Sequence, residues 1–450
     1  MSEQPIAPDP RSDYSRRAFL AAGAAAAAGG AILAAGAAAA DGPVAGPPRD
    51  KAPKGKPFKR VADGEPIRMG VIGTGGMGSG HCGAFMSLAK AGKENVQIVA
   101  LADVCQPRLE AARQQCESGQ GITVDTYGDY RKLLERDDIH AVLIATPEHW
   151  HAKNGADAIL AGKDVYLEKP MTLDLPMALY LRSVQQANPE IIVQVGTQMT
   201  RLPKYPAARQ MVKDGKIGTP VWSQTSYCRN SKEGEWLYYS IDPAWKPGVN
   251  LDWDMWCGPL GAAPWDPEVY ARWRRYKKYS TGIIGDLLVH VMTPLTLAVD
   301  AGWPTRVVAS GNHEVDKAME NFDQVNLTIT FENGHQMIVA GSTCNEVGLE
   351  TMIRGHKGNL YLGGRHCEFR PERIFVDDGL EQERIECEDI GNDQDVHRLN
   401  FMKCVRTRER PDSDIEQGTK IMVIVDLATR SMWEGGAYRF DPKTMTAWKV

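Results

Sequence analysis

A chain of 450 residues is longer than one ordinary domain and argues for two, and 43% hydrophobic with 24% charged residues is a soluble globular composition. The formal net charge of −5 gives no sign of a nucleic-acid partner, which would call for a basic face. Nine cysteines with no Cys-x-x-Cys pair speak against a zinc site and a disulfide framework, so no metal is expected, while one or two bridges stay open in an exported chain.

Residues 1–40 read as a targeting segment. Ser15-Arg16-Arg17-Ala18-Phe19-Leu20 precedes an uncharged Ala/Gly-rich run to Ala40. This resembles a twin-arginine export signal, with Ala38-Ala39-Ala40 as the small-residue cleavage site and the periplasm as destination. The run is too weakly apolar for a stable membrane anchor. Residues 41–66 hold six prolines and no apolar periodicity, the mark of a linker or extended arm, read as a tether.

From Ile67 to residue 198, strand and helix patterns alternate. Strands are expected at Ile67–Ile72, Val96–Ala102, near Thr123, and at Ala141–Ala145, Asp164–Leu167 and Ile191–Val195. Helices are expected from the glycine loop to about Ala91, around Arg108–Glu117, and at Tyr130–Glu135, Ala152–Ala161 and Leu175–Ala187. This is the pattern of a doubly wound α/β domain with a parallel sheet, the Rossmann architecture. Residues 199–450 change texture. Alternating segments at Thr219–Tyr227, Thr305–Gly311, Gln324–Phe331, His335–Ala340, Thr351–Arg354 and Asn359–Leu362, with a hairpin signal at Glu332-Asn333-Gly334, predict an α+β domain with a largely antiparallel open sheet. Helices at Leu399–Thr407 and Thr419–Trp433 close it.

Gly73-Thr74-Gly75-Gly76-Met77-Gly78 follows a strand and opens a helix, the context a dinucleotide loop demands. Gly73 permits the tight turn, Gly75 the approach of pyrophosphate, and Gly78 close helix–strand packing. The helix N-terminus then offers free N–H groups to phosphate. Asp103 ends the next strand and suits the adenosine ribose hydroxyls; its charge would repel a 2′-phosphate, which favours NAD over NADP. Thr146, Pro147, His151, Glu168, Lys169 and Gln198, at or beyond strand carboxyl ends, complete the expected cofactor-binding set. His149 and His151 are two apart, a poor match to helical metal ligands, and His151 is expected to orient the helix entry.

Lys169, in Val165-Tyr166-Leu167-Glu168-Lys169-Pro170, stands at the sheet edge where ligands of open α/β sheets bind. Asp286 and His290 are four apart in an apolar stretch, a spacing that puts both on one helical face, as a structural pair or as working groups. Trp253, Trp256, Trp265, Trp273, Tyr270, Tyr276 and Tyr279 crowd residues 250–280, either as a platform for a sugar ring or as packing.

Together the glycine loop, Asp103, Thr146-Pro147 with His151, Glu168-Lys169-Pro170, and Asp286 with His290 resemble the Gfo/Idh/MocA oxidoreductases over residues 67 to 440. Asp252-Trp253-Asp254-Met255-Trp256 with Cys257-Gly258-Pro259 looks like an exported bacterial subgroup of that family. Glu148 stands where many members carry Asn, and Leu288 where many carry Gly. The resemblance implies Lys169 beside the nicotinamide and the reacting hydroxyl with a cis bond to Pro170, His290 as acid/base, Asp286 as its neighbour, and a homodimer or homotetramer. The expected chemistry is NAD-dependent hydride transfer at a secondary alcohol of a sugar or cyclitol. His290 would take the hydroxyl proton from its ordinary pKa of about 6.5, and Lys169 would steady alkoxide charge. Export removes the free cofactor pool, so the cofactor is expected to stay bound and be recycled. An NAD-using glycosidase or lyase working by transient oxidation is the first alternative. A non-catalytic sugar-binding protein on the same fold is the second.

Overall fold

The structure, a computed structural model, describes residues 52–450 and the backbone of Val44–Ala45; the expected export signal lies outside the described residues. Ile67–Ile72, Val96–Ala102, Ala141–Ile144 and Asp164–Leu167 are near-continuous apolar runs and are almost wholly buried. Such runs form strands covered on both faces, and these four are the inner strands of a six-stranded parallel sheet. Its order is Asp125–Tyr127, Val96–Ala102, Ile67–Ile72, Ala141–Ile144, Asp164–Leu167, Val193–Val195. The order reverses between Ile67–Ile72 and Ala141–Ile144, and the carboxyl ends of those two strands therefore flank a crevice.

The face under helices Gly76–Lys90 and Gln106–Gln120 is completed from far along the chain. Phe401, Met402, Cys404 and Val405 of helix Asp393–Thr407 share a core with Met69, Phe85, Ile98 and Leu101. That helix starts six residues before the expected Leu399, because the Asn392 side chain caps it by accepting the N–H groups of Gln394 and Asp395. The opposite face, under Glu148–Leu160 and Leu175–Ala187, merges with helices Val289–Val299 and Ile415–Glu434 into one core.

The second sheet has eleven strands in the order Val44–Ala45, Thr446–Lys449, Ala437–Asp441, Pro304–Asn312, Gln324–Phe331, Gln336–Ser342, Pro220–Cys228, Met352–Gly355, Gly358–Tyr361, His366–Pro371, Glu383–Glu386. Every pairing is antiparallel except Gln336–Ser342 with Pro220–Cys228. The Glu332-Asn333-Gly334 hairpin forms, with Gly334 at φ +85° and Gln324 registered against Ser342.

Several expectations are corrected. The strand near Thr123 lies at Asp125–Tyr127. The helix expected from Ala152 begins at Glu148, with Pro147 at its N-cap, so Glu148, His149 and His151 are helical. Residues 52–66 are not a free tether. Lys56 donates its N–H to the Leu160 carbonyl at 2.8 Å and Gly55 to Asn188 Oδ1 at 2.7 Å, while Phe58 lies under the Arg408 guanidinium at 4.2 Å. All nine cysteines are free thiols. Among the described residues no helix is long and apolar enough to cross a membrane, and no cluster of metal-ligating side chains occurs.

Candidate active site

Gly73 adopts φ +89°, and a Cβ there would sit 2.8 Å from the Ala145 and Thr146 backbone. A Cβ on Gly78 would come within 1.9 Å of the Gly73 carbonyl oxygen, so only glycine lets the helix start this close to the strand end. Gly75 caps the helix without a side-chain hydrogen bond, and the space over Gly76 is open to 4 Å. The first-turn N–H groups, which no intrahelical carbonyl can satisfy, are thus left for an anion. Thr74 ties this loop to the neighbouring strand, donating its N–H to Asp103 Oδ2 at 2.6 Å, while Cys105 donates to Asp103 Oδ1 at 2.8 Å.

A cavity of about 410 Å³ runs from this cradle to Lys169, within the range of small-molecule sites. Gly73, Gly75, Gly76, Met77, Asp103, Thr146, Pro147, His151, Glu168 and Lys169 line it. Thr74 and Gly78 pack behind the loop. Gln198 begins a 3₁₀ turn, Gln198–Arg201, and does not reach the lining. The glycine cradle, uncapped helix, acid at the second strand end and cavity fit a bound dinucleotide.

At the far end Lys169, joined to Pro170 by a cis peptide, donates its Nζ to Asp286 Oδ1 at 2.8 Å and to the Asp286 carbonyl at 2.9 Å. Arg274 donates Nε to the same Oδ1 at 2.8 Å. Burial would raise the Asp286 pKa, but the two cations outweigh it and hold the carboxylate below the usual range. Asp286 sits in a π-helical turn, Ile284–Leu288, not in a regular α-helix as expected. Gly285 lets that turn press in, since a Cβ there would meet Thr281 Oγ1 at 1.9 Å and Pro170 at 3.3 Å.

His290, on the helix that follows, lies 6.2 Å from the Tyr227 ring, and its Nδ1 has no partner among the described residues. Asp286 and His290 stand behind Lys169 rather than in the lining. Burial, and then the Lys169 charge, bring the His290 pKa down to about 3. The ring is therefore neutral at physiological pH and a weak base, which corrects the expectation of a proton acceptor working from the ordinary histidine value.

Glu168 faces away from the chemistry. Its Oε1 accepts from His81 Nε2 at 2.8 Å, and His81 Nδ1 accepts from Arg398 Nε at 2.9 Å. With Nδ1 an acceptor, Nε2 carries the proton. Burial works against ionisation, but the His81 hydrogen bond and nearby charge keep Glu168 at about 2. His151 brings both ring nitrogens within 2.7 Å of backbone carbonyls, those of Pro170 and Thr146, and so bridges two strand-end loops. His149 is a packing residue, with Nε2 on the Trp256 carbonyl and its ring edge-on to Trp256 and Tyr279.

The aromatic segment is mostly core. Trp253, Trp256, Tyr270 and Tyr279 are buried, the first two stacked at 4.6 Å. They dock the segment onto the Rossmann unit, where Gln106 donates to Asn250 and Asp252 to Val104 through the backbone. Trp256, Tyr270 and Trp273 also line the cavity, so the segment roofs the groove.

Two residues escaped the sequence reading. Arg274 carried no periodic signal, only its place in Trp273-Arg274-Arg275. Glu148 was noticed as a departure, but its partners were not foreseen. Fully buried, it accepts from Ser280 Oγ at 2.6 Å and from Thr281 N and Oγ1 at 3.2 Å. Burial pushes its pKa up to about 7 despite those bonds.

Residues 67–197 match the profile described as "Oxidoreductase family, NAD-binding Rossmann fold", and residues 207–449 its "C-terminal alpha/beta domain". The chain belongs to the Gfo/Idh/MocA oxidoreductase family. Its N-terminal unit is that family's NAD-binding Rossmann domain. Among curated relatives, an inositol 2-dehydrogenase/D-chiro-inositol 3-dehydrogenase of Lactiplantibacillus plantarum is 25% identical over 176 residues, 39% of this chain and 48% of that protein. One of Halalkalibacterium halodurans is 31% identical over 169 residues, 38% and 46%. The match thus spans about half the length of these relatives. Among solved structures, an oxidoreductase domain protein from Kribbella flavida superposes with TM-score 0.63 at 20% identity, covering 83% of this chain and 98% of that one. A levoglucosan dehydrogenase complexed with NADH and levoglucosan gives 0.61 at 18%, covering 83% and 99%. These likenesses establish the fold.

Proposed function

We propose that the protein is an NAD-dependent oxidoreductase that moves a hydride to or from a secondary alcohol of a sugar or cyclitol. The observation that carries this reading is Lys169: a buried ammonium at the end of the dinucleotide groove, held by Asp286 with His290 behind it. Bound NAD supplies the hydride acceptor. Lys169 donates a hydrogen bond to the substrate oxygen and stabilises its developing negative charge. Asp286, itself held by Arg274, fixes the direction of the ammonium. The hydroxyl proton leaves by way of Lys169, which is in the lining, and neutral His290 behind it is the acceptor in this relay. The inositol and levoglucosan dehydrogenases among the relatives support a polyol substrate.

The roof formed by residues 250–280 supports a cofactor retained through turnover, and the export motif supports a periplasmic setting in which retention is required. A homodimer or homotetramer is part of the same reading. A second reading rests on the roof as well: a retained cofactor also serves a glycosidase or lyase that oxidises, eliminates and reduces back. Mass spectrometry of nucleotide released from purified protein, followed by a sugar and cyclitol screen on the nicotinamide absorbance, tests both. NAD with polyol-dependent reduction is expected. Bond cleavage without net reduction selects the second reading, and protein that neither carries nor binds NAD sinks both. NAD with no redox response to any polyol leaves a non-catalytic sugar-binding protein.

A further inference from the structure

Arg274 uses only part of its guanidinium. Nε is committed to Asp286 at 2.8 Å, and the backbone carbonyl accepts from Asn321 Nδ2 at 2.9 Å. The plane lies over Trp273, 4.2 Å from the ring centre, which sets its orientation. Neither Nη1 nor Nη2 has a hydrogen-bond partner among the described residues, and the side chain lines the cavity beside Lys169. A paired Nη edge with fixed orientation matches the two oxygens of a carboxylate better than it matches single hydroxyls.

Charge points the same way. Lys169 and Arg274 share one carboxylate, that of Asp286. Glu168 is turned toward His81, and Glu148 toward Ser280 and Thr281. Lys169 and Arg274 both line the cavity while their shared carboxylate, Asp286, stands outside the lining, so a ligand carboxylate at this end meets two cations whose shared counter-ion lies behind them.

We propose that Arg274 recognises a carboxylate on the substrate, so that the polyol oxidised is a sugar acid rather than a neutral sugar. The carboxylate takes the Nη edge of Arg274 while a ring hydroxyl meets Lys169. This deepens the oxidoreductase reading and rests on it for the reaction, but the binding it predicts can be measured without turnover.

Isothermal titration of the NAD-loaded protein with D-glucuronate, D-galacturonate, D-glucose and D-galactose is the test, repeated on Arg274→Met and Arg274→Lys. At least one acid is expected to bind tenfold or more tighter than its neutral counterpart. Arg274→Met should abolish that preference, and Arg274→Lys should keep part of it, as a point charge without the fork. Neutral sugars binding as well as the acids, no binding by either acid, or a preference that survives in Arg274→Met overturns the proposal. The wild-type comparison alone decides if a variant fails to fold. Acid binding without reduction of bound NAD would instead count against the oxidoreductase reading and leave the recognition intact.

Discussion

Replacing Lys169 by methionine separates its two duties. The ammonium makes two hydrogen bonds to Asp286, at 2.8 and 2.9 Å, with its side chain only 8% exposed. Losing charged hydrogen bonds of this kind costs about 1.5–3 kcal/mol of stability. The loss stops there because Arg274 still pairs Asp286 at 2.8 Å, so no buried charge is orphaned. Removing both cations, in Lys169→Met/Arg274→Met, does orphan it and should cost about 3–5 kcal/mol for that group alone. In the reaction the methionine cannot donate to developing alkoxide, and loss of one such donor lowers kcat about 10²–10³-fold, or about 2.7–4 kcal/mol. Stopped-flow reduction of bound NAD by the best polyol from the screen reads the second effect, and thermal unfolding reads the first. A methionine variant reducing its NAD at the wild-type rate would refute the role of Lys169. A single variant as unstable as the double would refute the shared pairing.

Other substitutions probe the rest of the site. Gly78→Ala places a methyl group 1.9 Å from the Gly73 carbonyl oxygen and should leave purified protein nearly free of nucleotide, measured by absorbance of the deproteinised supernatant. Glu148 is raised from 4.5 to about 7 in the folded chain. Its protonated form is favoured by folding, so its contribution to stability is fully present below pH 4.5 and is lost as pH rises through about 7. Glu148→Gln should flatten the fall in thermal midpoint over that window, and an unchanged slope would count against it. His81→Ala leaves Glu168 buried without its 2.8 Å donor and should lower stability by about 1–3 kcal/mol, seen in urea unfolding, with retained NAD little changed.

What the sequence displayed and what it concealed divide along physical lines. Strands Ile67–Ile72, Val96–Ala102, Asp164–Leu167 and Gln324–Phe331 were readable to the residue, because burial on two faces demands continuous apolar runs and burial on one demands alternation. His366–Pro371, Glu383–Glu386, Ala437–Asp441 and Thr446–Lys449 passed unnoticed: they lie toward the sheet's ends, where polar residues are tolerated and periodicity fades. Asp286 was visible by its cost in an apolar stretch, but the π turn that aims it at Lys169 leaves no mark in residue spacing. Arg274 was hidden among tryptophans, since pairing across twelve residues through a folded loop has no linear signature. The bond from His81 to Arg398 was hidden for the same reason, across a far longer separation.

The return of helix Asp393–Thr407 onto the Rossmann sheet has a consequence for exchanging parts between relatives. A chimera joined after residue 197 would inherit the glycine cradle from one parent and Arg398 from the other. His81 would then meet a foreign helix, and the proton on its ring, set by Arg398, would no longer be dictated. Modularity in this chain therefore stops short of the apparent seam between its halves. A transplantable unit that keeps Glu168, His81 and Arg398 together includes residues 67–197 and also 393–407.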